Sequence, residues 1–199
     1  MQMTIRIEIA GKVPAGFFAS LFTAGVRLRI AGRRSLACWL TEDLGVAPEY
    51  VEKNIGSAFL DGRPVDDFVT AMVSPGATVA LGAAAPGLVG VSLNRGSPLA
   101  CFRHDISQGQ AAAAGEAEVE PGEATLKLFN FPARELSEAL LAKGAGVAAR
   151  TLAVWLVERA GEFERHGLAL AADGEPIPPR ELATRLSAAD GEVDLRFGR

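Results

Sequence analysis

Cysteine and histidine are nearly missing from this 199-residue chain, with two of each. Cys38 and Cys101 cannot build a disulfide framework, and in a reducing compartment both are expected as free thiols. A closed zinc site would consume every Cys and His, so no metal centre and no cofactor are expected. Long apolar runs are absent too. The longest, Ala77 to Val91, is broken by Gly and Pro and falls short of the roughly 20 residues a membrane helix needs, so no membrane association is expected. The start, Met-Gln-Met-Thr, passes directly into an alternating strand pattern without a cationic segment, apolar core and cleavage site, and a cytoplasmic location is therefore expected. Motifs of catalysis are lacking: the chain has no phosphate loop with its Lys, no Gly-x-Ser-x-Gly elbow and no His-Glu-x-x-His helix.

What is present is an ordinary globular composition, 49% hydrophobic with a net charge of -4. Such a balance excludes a chain built mainly to hold nucleic acid. The surplus is local, because Glu116, Glu118, Glu120 and Glu123 account for it between two nearly neutral halves. Residues 107–123, SQGQAAAAGEAEVEPGE, hold almost no large apolar side chain and read as a flexible linker. As a coil they would span about 21–25 Å on average.

In the first half, Ile5, Ile7 and Ile9 alternate with Arg6 and Glu8, the pattern of a half-buried strand. Phe17, Leu21 and Phe22 follow in a segment suited to cover one end of a core. Val26 to Ile30 resumes the alternation. Ser35 is placed to cap a helix carrying Leu36, Trp39, Leu40 and Leu44 at helical spacing, and Gly45 stops it. Pro48 to Ile55 predicts a further short helix. Short strands are then separated by turns at Asp61-Gly62 and Pro75-Gly76. Beyond Gly87, residues 89–106 read as an added hairpin around Asn94-Arg95-Gly96-Ser97.

The second half restates the first in the same order. Thr125-Leu126-Lys127-Leu128 answers Thr4-Ile5-Arg6-Ile7, and Leu152-Ala153-Val154-Trp155-Leu156 answers Leu36-Ala37-Cys38-Trp39-Leu40, the two blocks holding the only tryptophans. Asp173-Gly174-Glu175-Pro176-Ile177 answers Asp61-Gly62-Arg63-Pro64-Val65, and Gly191 to Leu195 answers the last strand. An internal duplication follows. Strand, strand, helix and short strands make an α+β arrangement of two tandem β-grasp domains: 1–106 with the extra hairpin 89–106, then the linker 107–123, then 124–199.

Gly45-Val46-Ala47-Pro48-Glu49, Phe59 to Asp66 and Gly76 to Leu81 resemble the ubiquitin-like family that contains the small subunit of molybdopterin synthase and the thiamine sulfur carrier. Leu128 to Leu136 is similar to that subunit's first strand and following turn. The resemblance implies β-grasp domains and a connection to sulfur transfer. Its carriers act through a C-terminal Gly-Gly, whereas this chain ends Arg196-Phe197-Gly198-Arg199. Only cleavage after Gly87 or Gly90 would expose such a tail here.

Few residues stand out as sites. Arg6, Arg27 and Arg29 are expected on the outer face of a first hairpin, with Arg33 and Arg34 at its end, as a candidate docking patch for an acidic partner; a solvated strand face is the plainer alternative. Leu93 and Phe102 lead an apolar hairpin with more surface than two strands bury within themselves, expected either to bind a protein partner or a second copy, or to cover its own domain. Cys101 and His104, three apart in a predicted strand, point to opposite faces. Cys38 is expected as a small core residue, since Val154 takes its place in the repeat. His166 lacks any ligand-spaced neighbour, and Asp66 and Asp67 are expected to solvate or cap a turn. Gly144-Ala145-Gly146-Val147-Ala148-Ala149 has the form of a dinucleotide loop in the wrong context, following a helix instead of a strand.

The expected function is a non-enzymatic tandem ubiquitin-like protein-interaction module, with neither nucleic acid nor membrane as partner. The alternatives are a carrier or accessory protein of sulfur transfer or molybdenum/tungsten cofactor assembly, and an enzyme with a site between domains.

Overall fold

The computed structural model describes residues 5–84, 94–95 and 119–198. It is an α+β structure with mixed parallel and antiparallel strands. In chain order these are β1 (Arg6–Ala10), α1 (Ala19–Ala24), β2 (Val26–Ile30), β3 (Arg34–Ser35), α2 (Leu36–Cys38), α3 (Pro48–Asn54), β4 (Ser57–Leu60), β5 (Arg63–Pro64), β6 (Met72–Val73) and β7 (Thr78–Gly82). The second half adds β8 (Gly122–Leu128), α4 (Asn130–Ala142), β9 (Ala145–Ala148), α5 (Ala149–His166), β10 (Ala169–Ala172), β11 (Glu175–Pro176), α6 (Pro179–Ser187) and β12 (Glu192–Gly198). The series strand, helix, strand, helix, hairpin, strand thus occurs twice, with a helix between the first two strands of each half where the sequence reading expected strand, strand, helix.

Local signals are realised where they were read. Ser35 Oγ accepts the Cys38 amide at 3.2 Å, capping α2. The helix widens into a π-helical segment, Trp39–Asp43, where the Leu44 amide reaches back five residues to the Trp39 carbonyl, and Gly45 takes a positive φ beyond it. Asp61-Gly62 and Asp173-Gly174 each place two successive positive φ angles between paired strands, as a tight two-residue hairpin turn requires.

Contacts divide the chain into two compact units that do not coincide with the expected halves 1–106 and 124–199. One unit joins the residues up to Arg27 with Arg134 onward, and the other runs from Leu28 to Ala133. In the first, the strand order is β11-β10-β1-β12-β9. Here β1 lies between β12, to which it is parallel, and β10, to which it is antiparallel. In the second, the order is β2-β8-β7-β4-β5, with β7 and β8 parallel and a separate two-stranded β3-β6 ladder. The first strand of each half has therefore joined strands of the other half. The expected β1–β2 hairpin does not form, because α1 separates the two strands and β1 pairs with β10 and β12.

The Asp-Gly turns show which strands correspond. Asp61 Oδ1 accepts the Thr78 amide at 2.8 Å, and its own amide donates to the Thr78 carbonyl, clamping the start of β7. Asp173 does the same to Arg6, at 2.9 Å and 2.7 Å, clamping the start of β1. So β1 takes the place in its unit that β7 takes in the other, and β12 takes the place of β8. The expected equivalence of Gly191–Leu195 with the last strand of the first half is corrected accordingly.

Residues 119–123 of the expected linker are built into the second unit. The Glu123 carbonyl accepts the Gly76 amide at 2.8 Å, and a Cβ on Gly32 would lie 2.4 Å from the Val119 carbonyl oxygen. Residues 107–118 lie outside the described residues.

Both tryptophans face cores, with Trp39 at 0% and Trp155 at 3% exposure. Trp39 Nε1 donates to the Arg29 carbonyl at 3.0 Å. Trp155 stacks on Phe18 and meets Phe17 and Phe163 edge-on, but its Nε1 has no acceptor among the described residues. Trp39→Phe removes a hydrogen bond and leaves the Arg29 carbonyl without that donor, whereas Trp155→Phe removes a donor that was already unsatisfied. We expect the first to cost about 1 kcal/mol more than the second in urea unfolding. A second prediction follows from the exchanged strands: residues 119–199 expressed alone lack β1, and the loss of Ile7 and Ile9, both fully buried, leaves them without cooperative unfolding. Mixing them with residues 1–106 should restore it, as circular dichroism would register.

Candidate functional site

The outer face of the first unit carries alternating charges placed in register. β1 and β12 set Arg6 opposite Asp194 and Glu8 opposite Arg196. On the far side of β12, Asp194 lies opposite Gly146, a position without a side chain, and Arg27 lies opposite Gly146 in turn. Arg27 reaches Glu192 at 2.9 Å, and Arg6 Nε stands 3.9 Å from Asp194. These groups form a ladder of opposite charges across one sheet face. Each alternates along its strand with a buried apolar residue, Ile7 and Ile9 on β1 and Val193, Leu195 and Phe197 on β12. That alternation fixes which side chains face outward.

In the second unit the Arg34 guanidinium sits between Asp43 and Glu42, 3.2 Å from the latter, at the end of the π-helical segment. Asp43 also accepts the Ala31 amide at 3.4 Å. Arg29 is exposed on β2, and Arg33, half-buried, precedes β3.

The five arginines of the expected docking patch therefore divide between units. Arg6 and Arg27 belong with β12, and Arg29, Arg33 and Arg34 belong to the other unit. Three of them, Arg6, Arg27 and Arg34, have carboxylates of this chain beside them, so a continuous basic patch on a β1–β2 hairpin does not exist. Glu8 was read only as an outward strand residue, and Glu192, Asp194 and Arg196 were not read as its partners in a charged face. Their signal was the complementary alternation of Arg-Ile-Glu-Ile with Asp-Leu-Arg-Phe, which has meaning only once the two strands are known to run parallel.

Leu93, Phe102, Gly87, Gly90, Cys101 and His104 lie outside the described residues, as does most of the expected hairpin 89–106. Of that stretch Arg95 is placed: its amide donates to the Gly56 carbonyl at 2.7 Å, and its guanidinium lies 4.4 Å from the centre of the Phe68 ring. Cys38 is half-buried and Val154 is 60% exposed, so this repeat position borders a helix surface and is not the core site expected for it. Asp67 Oδ1 accepts the Val69 amide at 2.8 Å. That bond, helped by the Thr70 hydroxyl, holds its carboxyl below the ordinary value, and the residue organises a turn as expected. Gly144 follows α4 and precedes β9, the helix-to-strand order that a dinucleotide loop does not have.

A shallow depression of about 300 Å³ opens between Glu135, Glu138, Ala139 and Ala142 of α4 and Phe197 of β12. Both glutamates already have partners, and the lining offers no nucleophile or base to work with them. Among the described residues, no group of three His, Cys, Asp or Glu could hold a metal ion, and no helix is long and apolar enough to cross a membrane.

Comparison with protein-family models, curated proteins and solved structures finds no match to this chain.

The charge ladder predicts a salt-sensitive coupling. Arg27 and Glu192 are 44% and 35% exposed, so a double-mutant cycle to alanine should give a coupling of about 0.2–1 kcal/mol, shrinking in 1 M salt as the Debye length falls to about 3 Å. Chemical denaturation at two ionic strengths reads both values.

Proposed function

We propose that the chain is a non-enzymatic interaction module built from two β-grasp-type, ubiquitin-like units, which acts by binding a protein partner or its own kind. The observation that carries this reading is the sheet arrangement. In each unit a parallel pair, β7–β8 or β1–β12, has an antiparallel strand beside it, β4 or β10, which an Asp-Gly turn joins to a further strand. A mixed sheet with its parallel pair inside is what the duplicated block order leads one to expect of a β-grasp unit. The charged side chains of the first unit's sheet face engage one another across strands and do not converge on a cavity, which suits a binding surface better than a reaction centre.

The runner-up is a carrier or accessory protein of sulfur transfer or molybdenum/tungsten cofactor assembly. It is favoured by the place of β7: this strand ends at Gly82 and leads on to Gly87 and Gly90, where the resemblance puts a carrier's tail.

Intact mass and size of the protein isolated from its own cell separate the two. Full-length, unmodified chain that co-elutes with a stoichiometric protein or as a multimer is the result expected of the interaction module. A species ending at Gly87 or Gly90, or one with a terminal oxygen replaced by sulfur, assigns the carrier role instead. A lone full-length monomer at native concentration counts against both.

A further inference from the structure

We propose that Asp190 is a site of covalent self-modification, at which the main chain isomerises to an isoaspartyl link, and that the fold protects the two other Asp-Gly steps of the chain from the same reaction. The sequence holds three such steps, Asp61-Gly62, Asp173-Gly174 and Asp190-Gly191. In each, the main-chain nitrogen of the glycine is placed to attack the carboxyl carbon of the aspartate before it. A C–N bond forms, the side-chain hydroxyl leaves as water, and a succinimide ring results. Water then reopens the ring at either carbonyl, which restores aspartate or leaves the chain linked through the former side chain. Water is the only co-reactant, and nothing is oxidised or reduced. Glycine has no side chain to obstruct the attack, so the sequence by itself makes the three steps alike.

The structure separates them. Asp61 Oδ1 accepts the Thr78 amide at 2.8 Å and Asp173 Oδ1 accepts the Arg6 amide at 2.9 Å, while each aspartate's own amide donates to the carbonyl of the same residue. Both sit at positive φ inside a two-residue turn. Their carboxyl carbons reach the following amide only by giving up a charge-assisted bond to a backbone N–H, which slows ring closure by roughly ten- to a hundredfold. Asp190 lies between α6 and β12, outside helix and strand, and its side chain is 89% exposed. Among the described residues no backbone amide holds its carboxylate. The Arg150 guanidinium meets it at 2.9 Å but is itself 72% exposed, and a pair so open to solvent restrains little. Gly191 takes a φ of 109°, a conformation that side chains rarely adopt, so the bend retains the glycine that makes the step reactive. Isomerisation lengthens the main chain by a methylene just ahead of β12. There the Gly191 carbonyl accepts the Ala149 amide at 3.0 Å, and Glu192 lies opposite Ala148 and reaches Arg27 at 2.9 Å. The conversion therefore displaces the end of the charge ladder nearest α5.

The test follows the unsubstituted full-length protein through prolonged incubation at neutral pH, one sample folded and one held unfolded in urea. Peptides from each are mapped by electron-transfer fragmentation, which distinguishes an isoaspartyl link from an aspartyl one. In the folded sample isoaspartate should gather at position 190 roughly ten- to a hundredfold faster than at 61 or 173, and in urea the three rates should converge. Arg150→Ala removes the one restraint on the carboxylate and should raise the rate at 190 alone. Asp190→Glu, whose longer side chain closes a less favourable ring, should abolish the reaction there and leave the other two positions as they were. Equal rates at the three positions of the folded protein, or a folded protein inert at 190 while the urea sample reacts, would overturn the inference.

Discussion

The parallel pairing of β1 with β12 is the constraint on which the first unit depends. Strip β1 away and β10–β11 lose their connection to β12 and β9 within the sheet, while Ile7 and Ile9, both fully buried, leave the core. Phe17 and Phe18, just before α1, meet the Trp155 indole, the first edge-on and the second stacked. A strand, a connecting loop and a short helix before Arg27 thus complete a core whose remainder comes from the last third of the chain. The free energy gained by burying these side chains is available only when sequence-distant segments meet, and loop closure over such a distance is an entropic cost that the burial must offset.

Charge then decides among strands that apolar alternation leaves equivalent. Ile, Val and Leu at every second position suit any sheet. Outward residues do not: Arg6 and Glu8 find Asp194 and Arg196, whereas the β7–β8 pair matches Thr78 with Thr125 and Ala80 with Lys127. The Asp173 clamp adds a second selector, since its carboxylate and amide seize the first residue of whichever strand enters beside β10. Neither device is strong alone. Exposed pairs of this kind contribute about 0.2–1 kcal/mol each, enough to rank registers though not to hold a fold.

For function, this arrangement draws attention from loops to sheet edges and faces. The tryptophan-bearing helices, the turns and the paired charges all serve to assemble strands, and the described surface holds no cluster of groups poised for chemistry.

Much of the local structure was legible in the sequence. The two tryptophan-bearing helices and the two tight hairpins showed in Leu-Ala-x-Trp-Leu and in the two Asp-Gly turns, because a helix stripe and a positive-φ hairpin depend on residues a few positions apart. Ser35 as a cap, Gly45 as a stop and the helix beginning at Pro48 were readable for the same reason. What the chain by itself determined, then, is the buried face of its alternating strands, its tight turns and the caps and stops of the helices around Trp39 and Pro48. Which strand lies beside which was decided only in the tertiary structure. Backbone hydrogen bonds are alike for every partner, and the distinguishing contacts, Arg6 with Asp194 and Asp173 with the Arg6 backbone, join residues that sequence spacing gives no reason to connect.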